Sequence, residues 1–263
     1  MLKGSVCVDL VMAGMPFLDR IQRVADSGFK AFEFWFWTGK DLDAIIRKKE
    51  ACGLEVSIMS CSSAHNRRFE DWRFPCLTDP QNRADFVSAV EQSVEVARQL
   101  GSSRLNLITG CAVPHLSRAA QWASVVAGLR EAGAVAAGAG ITLALEPLNV
   151  AVDHAGYFLS TTGDTVAVMR EVDHPNVKIL FDIYHQQVTE GNIIANLTAH
   201  TGHIGHVHAA DVPGRHQPGT GELHYPHIFS ALEAAGYDGY VGLEYAPQGE
   251  VMASLAAVRG MFR

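Results

Sequence analysis

Four residues of metal-ligating type lie at the ends of four successive apolar runs in the second half of the chain. Glu146 ends LALE, Asp182 ends ILFD, His208 lies in GHVHAAD and Glu244 ends VGLE. A lone carboxylate is usually solvated, but three that share one site repel each other unless a cation neutralises them. Three oxygen donors and an imidazole suit Mn²⁺ or Mg²⁺ and tolerate Co²⁺. The pattern predicts one divalent metal ion, with His206 as a hydrogen-bonded core histidine deeper on the same strand face as His208.

Two further side chains follow these runs and are candidates for contact with a substrate. His185 comes three residues after Asp182. Arg215 lies in DVPGRHQPGTGE, whose glycines and prolines predict a loop. A loop arginine is usually only solvated, but its planar guanidinium could also hold a substrate carboxylate.

The first half of the chain contains weaker candidates for substrate binding. Glu33, Trp35 and Trp37 share one face of a predicted strand because side chains alternate along it. That face lines a pocket if it points inward and packs against helices if it points outward, and the sequence favours neither. His65 lies in the irregular stretch 60–80, at the place where a barrel would carry an active-site loop or lid.

These side chains can meet only if the elements that carry them end at one edge. Short apolar runs alternate with longer helical stretches along the chain, which predicts an α/β fold. We expect eight strands, at residues 5–9, 31–36, 54–59, 104–108, 141–146, 177–182, 203–211 and 240–245. We expect helices at residues 16–27, 41–52, 81–100, 118–139, 161–172, 190–200, 225–235 and 250–262.

Eight strand–helix units favour closure into a single (β/α)₈ TIM barrel over residues 1–263, because such a barrel needs about 250 residues. The main alternative is an open, doubly wound sheet. Neither GxGxxG nor GxxxxGK[ST] follows the first strand, so the nucleotide-binding motifs of that class are absent. The strand C-termini of a barrel form its active face, so the four metal-ligand candidates would meet there.

Composition excludes several other classes of function. The net charge of −7 disfavours nucleic acid as a partner, because nucleic-acid binders carry a basic surface. We expect no membrane partner, since no apolar run approaches the roughly 18 residues of a membrane span, and no signal peptide is visible. Five scattered cysteines without a CxxC motif fit reduced thiols, which predicts a cytoplasmic protein. The oligomeric state stays open, with a homo-oligomer as one option.

The strings LALEPLN, AGYFL, FDIYH, HVHAADVPGRHQPGTGELHYP and GYDGYVGLEYAP resemble the hydroxypyruvate isomerase group of the xylose isomerase-like barrel superfamily. The first half is similar more loosely, through FEFWFW and WRFPCLTDPQNRADF. The resemblance implies Glu146, Asp182, His208 and Glu244 as metal ligands. It further implies Glu146 and Glu244 as the acid/base pair, and His185 and Arg215 as substrate contacts.

The resemblance implies isomerisation of a small hydroxy-carbonyl substrate, by proton transfer between adjacent carbons through an enediolate. Hydroxypyruvate and tartronate semialdehyde are the expected pair, or a close 2-oxo acid analogue. The stretch NVAVDHAGYF departs from the group's pattern by one extra residue, so ketose 3-epimerisation on the same metal site stays open. Cleavage of an oxidised glycoside, a DNA-repair endonuclease and a non-catalytic sugar-binding barrel are further alternatives. The endonuclease would need more metal ligands and a basic face.

Overall fold

Eight parallel strands close into a barrel in the computed structural model, which describes residues 1–262. Arg263, the last residue of the predicted single domain, lies outside the described residues. Each strand pairs in parallel with the next, and the last pairs with the first. The strands are β1 Lys3–Cys7, β2 Ala31–Phe34, β3 Glu55–Ser60, β4 Arg104–Leu107, β5 Thr142–Leu145, β6 Val177–Asp182, β7 Ile204–Ala209 and β8 Tyr240–Leu243. The predicted (β/α)₈ barrel is confirmed.

Ten α-helices surround the barrel in the described part of the chain, two more than the sequence predicts. They are α1 Val8–Val11, α2 Phe17–Ser27, α3 Leu42–Cys52, α4 Arg83–Leu100, α5 Arg118–Ala137, α6 Thr162–Val172, α7 Ile183–Thr189, α8 Ile193–His200, α9 Tyr225–Ala234 and α10 Val251–Arg259. Between residues 1 and 262, no helix has the length and apolar character required to cross a bilayer.

Helix α1 replaces the end of the first predicted strand. The prediction of a strand over 5–9 is wrong at Val8 and Asp9, which begin this helix. The Asp9 carboxylate accepts hydrogen bonds from Arg20 Nη1 at 2.7 Å and from the backbone N–H of Trp35 at 2.9 Å. It thereby satisfies a backbone donor just beyond the end of β2.

Helix α7 begins directly at the end of β6 without a loop. The Asp182 side chain caps it, since Oδ1 accepts the backbone N–H of His185 at 3.0 Å. The cap leaves Oδ2 facing the barrel mouth. Asp182 thus ends the strand, starts the helix and presents one oxygen to the site.

The register of β6, β7 and β8 brings Asp182, His208 and Glu244 to the same end of the barrel. Asp182 lies opposite His208, and His208 lies opposite Gly242. Because side chains alternate along a strand, Asp182, His208 and Glu244 all point into the barrel. The deeper layer includes His206, which lies opposite Leu180.

A long segment, residues 61–82, joins β3 to α4 over the barrel mouth. Buried Phe69, Phe74 and Leu77 anchor it. The backbone N–H of Leu77 also donates to the carbonyl of Thr109 at 3.1 Å, in the loop after β4. That loop contains Gly110 at φ 82°, where a Cβ would lie 1.9 Å from the Phe74 carbonyl oxygen. The second half of the segment is therefore fixed to its neighbour, and closure over a substrate stays a prediction.

Candidate active site

The four predicted metal ligands converge at the C-terminal mouth of the barrel. Nδ1 of His208 lies 3.4 Å from Glu146 Oε1, 3.3 Å from Glu244 Oε2 and 3.9 Å from Asp182 Oδ2. One ligand atom from each of the four residues lies within 4.8 Å of the others, and all four residues are buried. Such spacing allows all four to coordinate one ion.

Two of these atoms lack a hydrogen-bond partner anywhere in residues 1–262. Glu146 Oε1 and His208 Nδ1 are both buried and both unpaired, although they face each other. Buried polar atoms are rarely left unpaired, because each loses its hydrogen bonds to water. A divalent cation would accept an electron pair from both atoms. The residues present therefore fit the predicted ion.

The site contains more acidic than basic side chains. Burial raises the pKa of Asp182 to about 7, although nearby Arg215 lowers it. Burial would also raise the pKa of Glu244, but Arg215 and His208 hold it well below its usual range. For His208, burial would lower the pKa, whereas Glu244 and Glu33 raise it well above its usual range. Carboxylates outnumber the cations that face them, as expected for a site that takes up a cation.

Two neutral donors from the first half of the barrel orient the glutamates. Asn106 Nδ2 donates to Glu146 Oε2 at 2.8 Å, and Trp35 Nε1 donates to Glu244 Oε1 at 2.7 Å. Each glutamate therefore has one oxygen held by the barrel, while its other oxygen faces His208. Asn106 is not among the site residues predicted from the sequence. Its signal is that it is the one uncharged polar residue in RLNL, at the end of β4.

Comparison with known proteins shows the family to which the chain belongs. Residues 21–260 match the family described as xylose isomerase-like TIM barrel. The chain belongs to this family. It is 34% identical over 242 residues to a 2-oxo-tetronate isomerase from Cupriavidus necator, covering 91% of this chain and 90% of the relative. It is 31% identical over 260 residues to the hydroxypyruvate isomerase of Escherichia coli, covering 97% of each.

A solved structure from the same family shares the whole fold. It is described as an AP endonuclease, family 2, from Brucella melitensis, and superposes with a TM-score of 0.91 at 30% identity over 99% of each chain. The curated relatives carry isomerase names. The prediction that this xylose isomerase-like barrel is an isomerase related to hydroxypyruvate isomerase is confirmed.

His185 faces the mouth of this xylose isomerase-like barrel with a defined tautomer. Its Nδ1 accepts the backbone N–H of Asn149 at 3.3 Å and lies 2.7 Å from Asn149 Nδ2. Because a backbone N–H can only donate, the ring proton is on Nε2. That atom is buried, has no hydrogen-bond partner in the described chain and lies 3.7 Å from Asp182 Oδ2. Burial and the charge of Arg215 lower the pKa of His185 well below its usual range, so the ring stays neutral.

Arg215 reaches the site from the loop after β7, but its guanidinium is already paired. Its Nη2 donates to Glu244 Oε2 and lies 3.7 Å from Asp182 Oδ2. The backbone of Arg215 has φ 55°, a left-handed conformation that is costly for a residue with a side chain. The fold holds this strained residue in place, which points the side chain at the ligand cluster.

A cavity of about 250 Å³ opens beside the cluster. His154 stands edge-on to Trp72, with ring centroids 4.8 Å apart, and its ring lies 5.2 Å from that of His185. Neither Trp72 nor His154 is among the site residues predicted from the sequence. The walls of the cavity are formed by Trp35, Phe36, Ser60, Glu70, Trp72, Asn106, Ile108, Glu146, Leu148, His154, His185, Arg215 and Glu244.

Three predicted substrate contacts lie away from this cavity. Glu33 is buried beneath His208, deeper in the barrel. Trp37 packs beside the core and donates its indole N–H to Ser93 Oγ at 3.1 Å. His65 is exposed on the segment after β3. None of the three belongs to the substrate site that we propose, because none of them lines the cavity formed by the described residues.

Proposed function

We propose that the chain is a metal-dependent isomerase that interconverts hydroxypyruvate and tartronate semialdehyde, or a close 2-oxo acid analogue. The observation that carries the proposal is the convergence of Glu146, Asp182, His208 and Glu244 within 4.8 Å at the barrel mouth. Two relatives that match nearly the whole chain support this class of substrate through their names.

The four converging side chains would hold one Mn²⁺ or Mg²⁺ ion, with Co²⁺ as a substitute, because three carboxylates and an imidazole are the ligands these ions accept. When bound, such an ion supplies positive charge beside the substrate oxygens and lowers the cost of negative charge that develops there. The protein itself keeps the ligands apart and oriented, through Asn106 on Glu146 and Trp35 on Glu244.

Glu146 and Glu244 are the proposed acid/base pair. They project from the ends of β5 and β8, and each turns one oxygen toward the same point near His208. One glutamate removes the proton from the carbon that bears the hydroxyl, which gives an enediolate. The former carbonyl carbon then takes a proton from the other glutamate, or from the same one. General-base assistance of this kind contributes about 10²–10⁴-fold to a rate.

The second proton of the isomerisation moves between the two substrate oxygens. His185 faces the cavity with its Nε2–H, so it is placed to donate a hydrogen bond to one of these oxygens. Arg215 lies at the same wall. Its Nη2 contacts Glu244, and the other nitrogens of its guanidinium can contact a substrate carboxylate. These two residues would orient the substrate, while the glutamates move the carbon-bound proton.

The test combines metal analysis with two glutamine variants. Purified protein is assayed for bound metal, then for turnover of hydroxypyruvate with Mn²⁺ present. We expect Glu146→Gln and Glu244→Gln to lose at least about 10²-fold in kcat while metal remains bound. Near-native turnover in both variants would refute the acid/base roles. Glu95→Gln is the matched control, because Glu95 lies exposed on α4, where it pairs with Arg98 and accepts a hydrogen bond from Gln99.

One observation favours ketose 3-epimerisation as a second candidate. The cavity extends past the ligand cluster to Trp72 and His154, and its single arginine, Arg215, is paired with Glu244. No lysine lines the described wall, so a neutral sugar would leave no unpaired side-chain cation there. Incubation with ketohexoses and, separately, with hydroxypyruvate, each with Mn²⁺, separates the two activities. Binding without turnover of either would instead favour a sugar-binding barrel.

An endonuclease activity has less support, although one solved relative carries that description. Such an enzyme would need additional His and Asp or Glu ligands for a metal cluster. In residues 1–262, the two groups of metal-ligating residues both lie inside the barrel and share His208. The net charge of −7 also disfavours a nucleic-acid surface.

A further inference from the structure

A buried glutamate lies directly beneath the proposed metal ligands and takes no part in the proton transfer described above. Glu33, on β2, is 2% exposed. Its Oε1 lies 3.0 Å from His208 Nε2, and its Oε2 lies 3.0 Å from His206 Nε2. An isolated charge is costly to bury, so a buried carboxylate needs such partners.

The short distance between Glu33 and His208 bears on which nitrogen of His208 is free. Glu33 Oε1 and His208 Nε2 lie 3.0 Å apart but form no hydrogen bond in residues 1–262. A carboxylate only accepts, so a hydrogen bond between these two atoms requires the ring proton of His208 on Nε2. A neutral imidazole then has its electron pair on Nδ1. That atom is the one that faces Glu146 Oε1 and Glu244 Oε2, at 3.4 and 3.3 Å.

The barrel holds the Glu33 carboxylate in this position from two sides. Ser57 Oγ donates to Glu33 Oε2 at 3.1 Å and is itself 2.6 Å from Ser5 Oγ. Strand β8 leaves the necessary space, because a Cβ on Gly242 would lie 2.2 Å from Glu33 Oε1. Gly242 lies opposite His208 in the sheet, so the Glu33 carboxylate occupies the space beside His208 that a side chain at position 242 would fill.

We propose that Glu33 is a positioning residue that aims Nδ1 of His208 at the metal ion. The inference rests on the metal centre of the proposed function. Carboxylates that hold the distal nitrogen of a metal-bound histidine fix its tautomer and orientation, and their loss typically costs about 10–100-fold in metal affinity or activity. Glu33 therefore sets how tightly the ion is held, without contact with the substrate.

The test is calorimetric titration of Mn²⁺ into the metal-free full chain. We expect Glu33→Gln to bind Mn²⁺ about 10–100-fold more weakly than the unmodified chain, because the amide can present N–H instead of oxygen to His208. At saturating Mn²⁺, kcat should stay far above that of Glu146→Gln. Equal Mn²⁺ affinity in Glu33→Gln and the unmodified chain would overturn the proposal. If the unmodified chain itself binds no Mn²⁺, the proposed function fails first.

A second variant covers the case in which Glu33→Gln does not fold. Gly242→Ala leaves every charge in place but forces Glu33 Oε1 to move, so we expect weaker Mn²⁺ binding here too. Unchanged binding would count against the proposal. Glu55→Gln, which lies exposed at the start of β3, is the matched glutamate control and should bind Mn²⁺ normally.

Nitrogen NMR of the Zn²⁺-loaded chain gives a readout that a purely structural role would not produce. We expect the His208 ring to show a proton on Nε2 and none on Nδ1. A proton on Nδ1, or none on Nε2, would overturn the assignment. In Glu33→Gln, the proton on Nε2 should exchange faster with water, because the carboxylate no longer holds it.

Discussion

The two halves of the barrel contribute different things to one site. Strands β5 to β8 supply every proposed metal ligand, and these ligands are charged or ionisable. Strands β1 to β4 and the residues just after them supply none, but they hold the ligands in place. Asn106 holds Glu146, Trp35 holds Glu244 and Glu33 holds His208.

The contrast shows that this site depends on barrel closure. Two of the three supporting contacts join early strands to late ones: Trp35 contacts Glu244, 209 residues away, and Glu33 on β2 contacts His208 on β7. The third joins the neighbouring strands β4 and β5, through Asn106 and Glu146. The ligand half could bring its carboxylates together, but they would repel one another. The supporting half fixes which oxygen of each carboxylate faces the ion. Changes to the ligands should therefore have larger effects than changes to the supporting residues.

The largest effect should come from the ligand half. Asp182→Asn keeps the side-chain oxygen that caps α7 but removes the charge offered to the ion. We expect Mn²⁺ affinity to fall by more than the roughly 10–100-fold that is typical of supporting residues. Titration calorimetry measures this, and the thermal unfolding midpoint of the metal-free chain checks that the cap survives. Unaltered Mn²⁺ affinity would remove Asp182 from the ligand set.

A smaller effect should follow a change in the supporting half. Trp35→Phe keeps an aromatic ring but loses the N–H that donates to Glu244 Oε1. Loss of one hydrogen bond to a charged group costs about 1.5–3 kcal/mol, so we expect kcat/KM at saturating metal to fall about 10- to 100-fold. A loss as large as that of Glu244→Gln would erase the distinction between the two halves.

A still smaller effect should arise at the far wall of the cavity. His154→Phe preserves the edge contact with Trp72 but removes both ring nitrogens. We expect KM to rise a few-fold, by about the 0.5–1.5 kcal/mol of one neutral hydrogen bond, with kcat nearly unchanged. Steady-state kinetics on hydroxypyruvate and on a ketohexose measure this. A fall in kcat with constant KM would instead place His154 in the chemical step.

The smallest effect on activity should come from Trp37→Phe. Its indole N–H donates to Ser93, outside the cavity. We expect unchanged kcat/KM and a loss of about 1 kcal/mol in the free energy of unfolding, measured by urea denaturation. Impaired turnover in a well-folded variant would return Trp37 to the substrate site.

The ligand half was predictable from sequence for a physical reason. Parallel strands buried on both faces are apolar runs, so a Glu or Asp that ends one is conspicuous. The topology then places Glu146, Asp182 and Glu244 at one mouth. The end of β6 shows the limit of this reasoning, because the Asp182 cap starts α7 at once, where the sequence predicted a loop.

The supporting half was much harder to predict. Trp35 and Asn106 are residue types that often pack or hydrogen-bond without a specific role, and their partners lie far away in sequence. For Glu33, the strand pattern predicted that it shares a face with Trp35 and Trp37, but not whether that face points into the barrel. Its depth in the barrel then decides which residues it contacts. The inward side of β2 places Glu33 one layer below the mouth, where it meets His206 and His208 instead of a substrate.

The close contact between Gly110 and Phe74 limits how the segment over the barrel mouth, residues 61–82, can move. The backbone of Phe74 lies against this glycine and leaves no space for a side chain. The second half of residues 61–82 is therefore fixed to the loop after β4. Any movement of residues 61–82 would therefore involve the part before Phe74. A larger residue at position 110 would push Phe74 away from the loop after β4 and weaken this attachment.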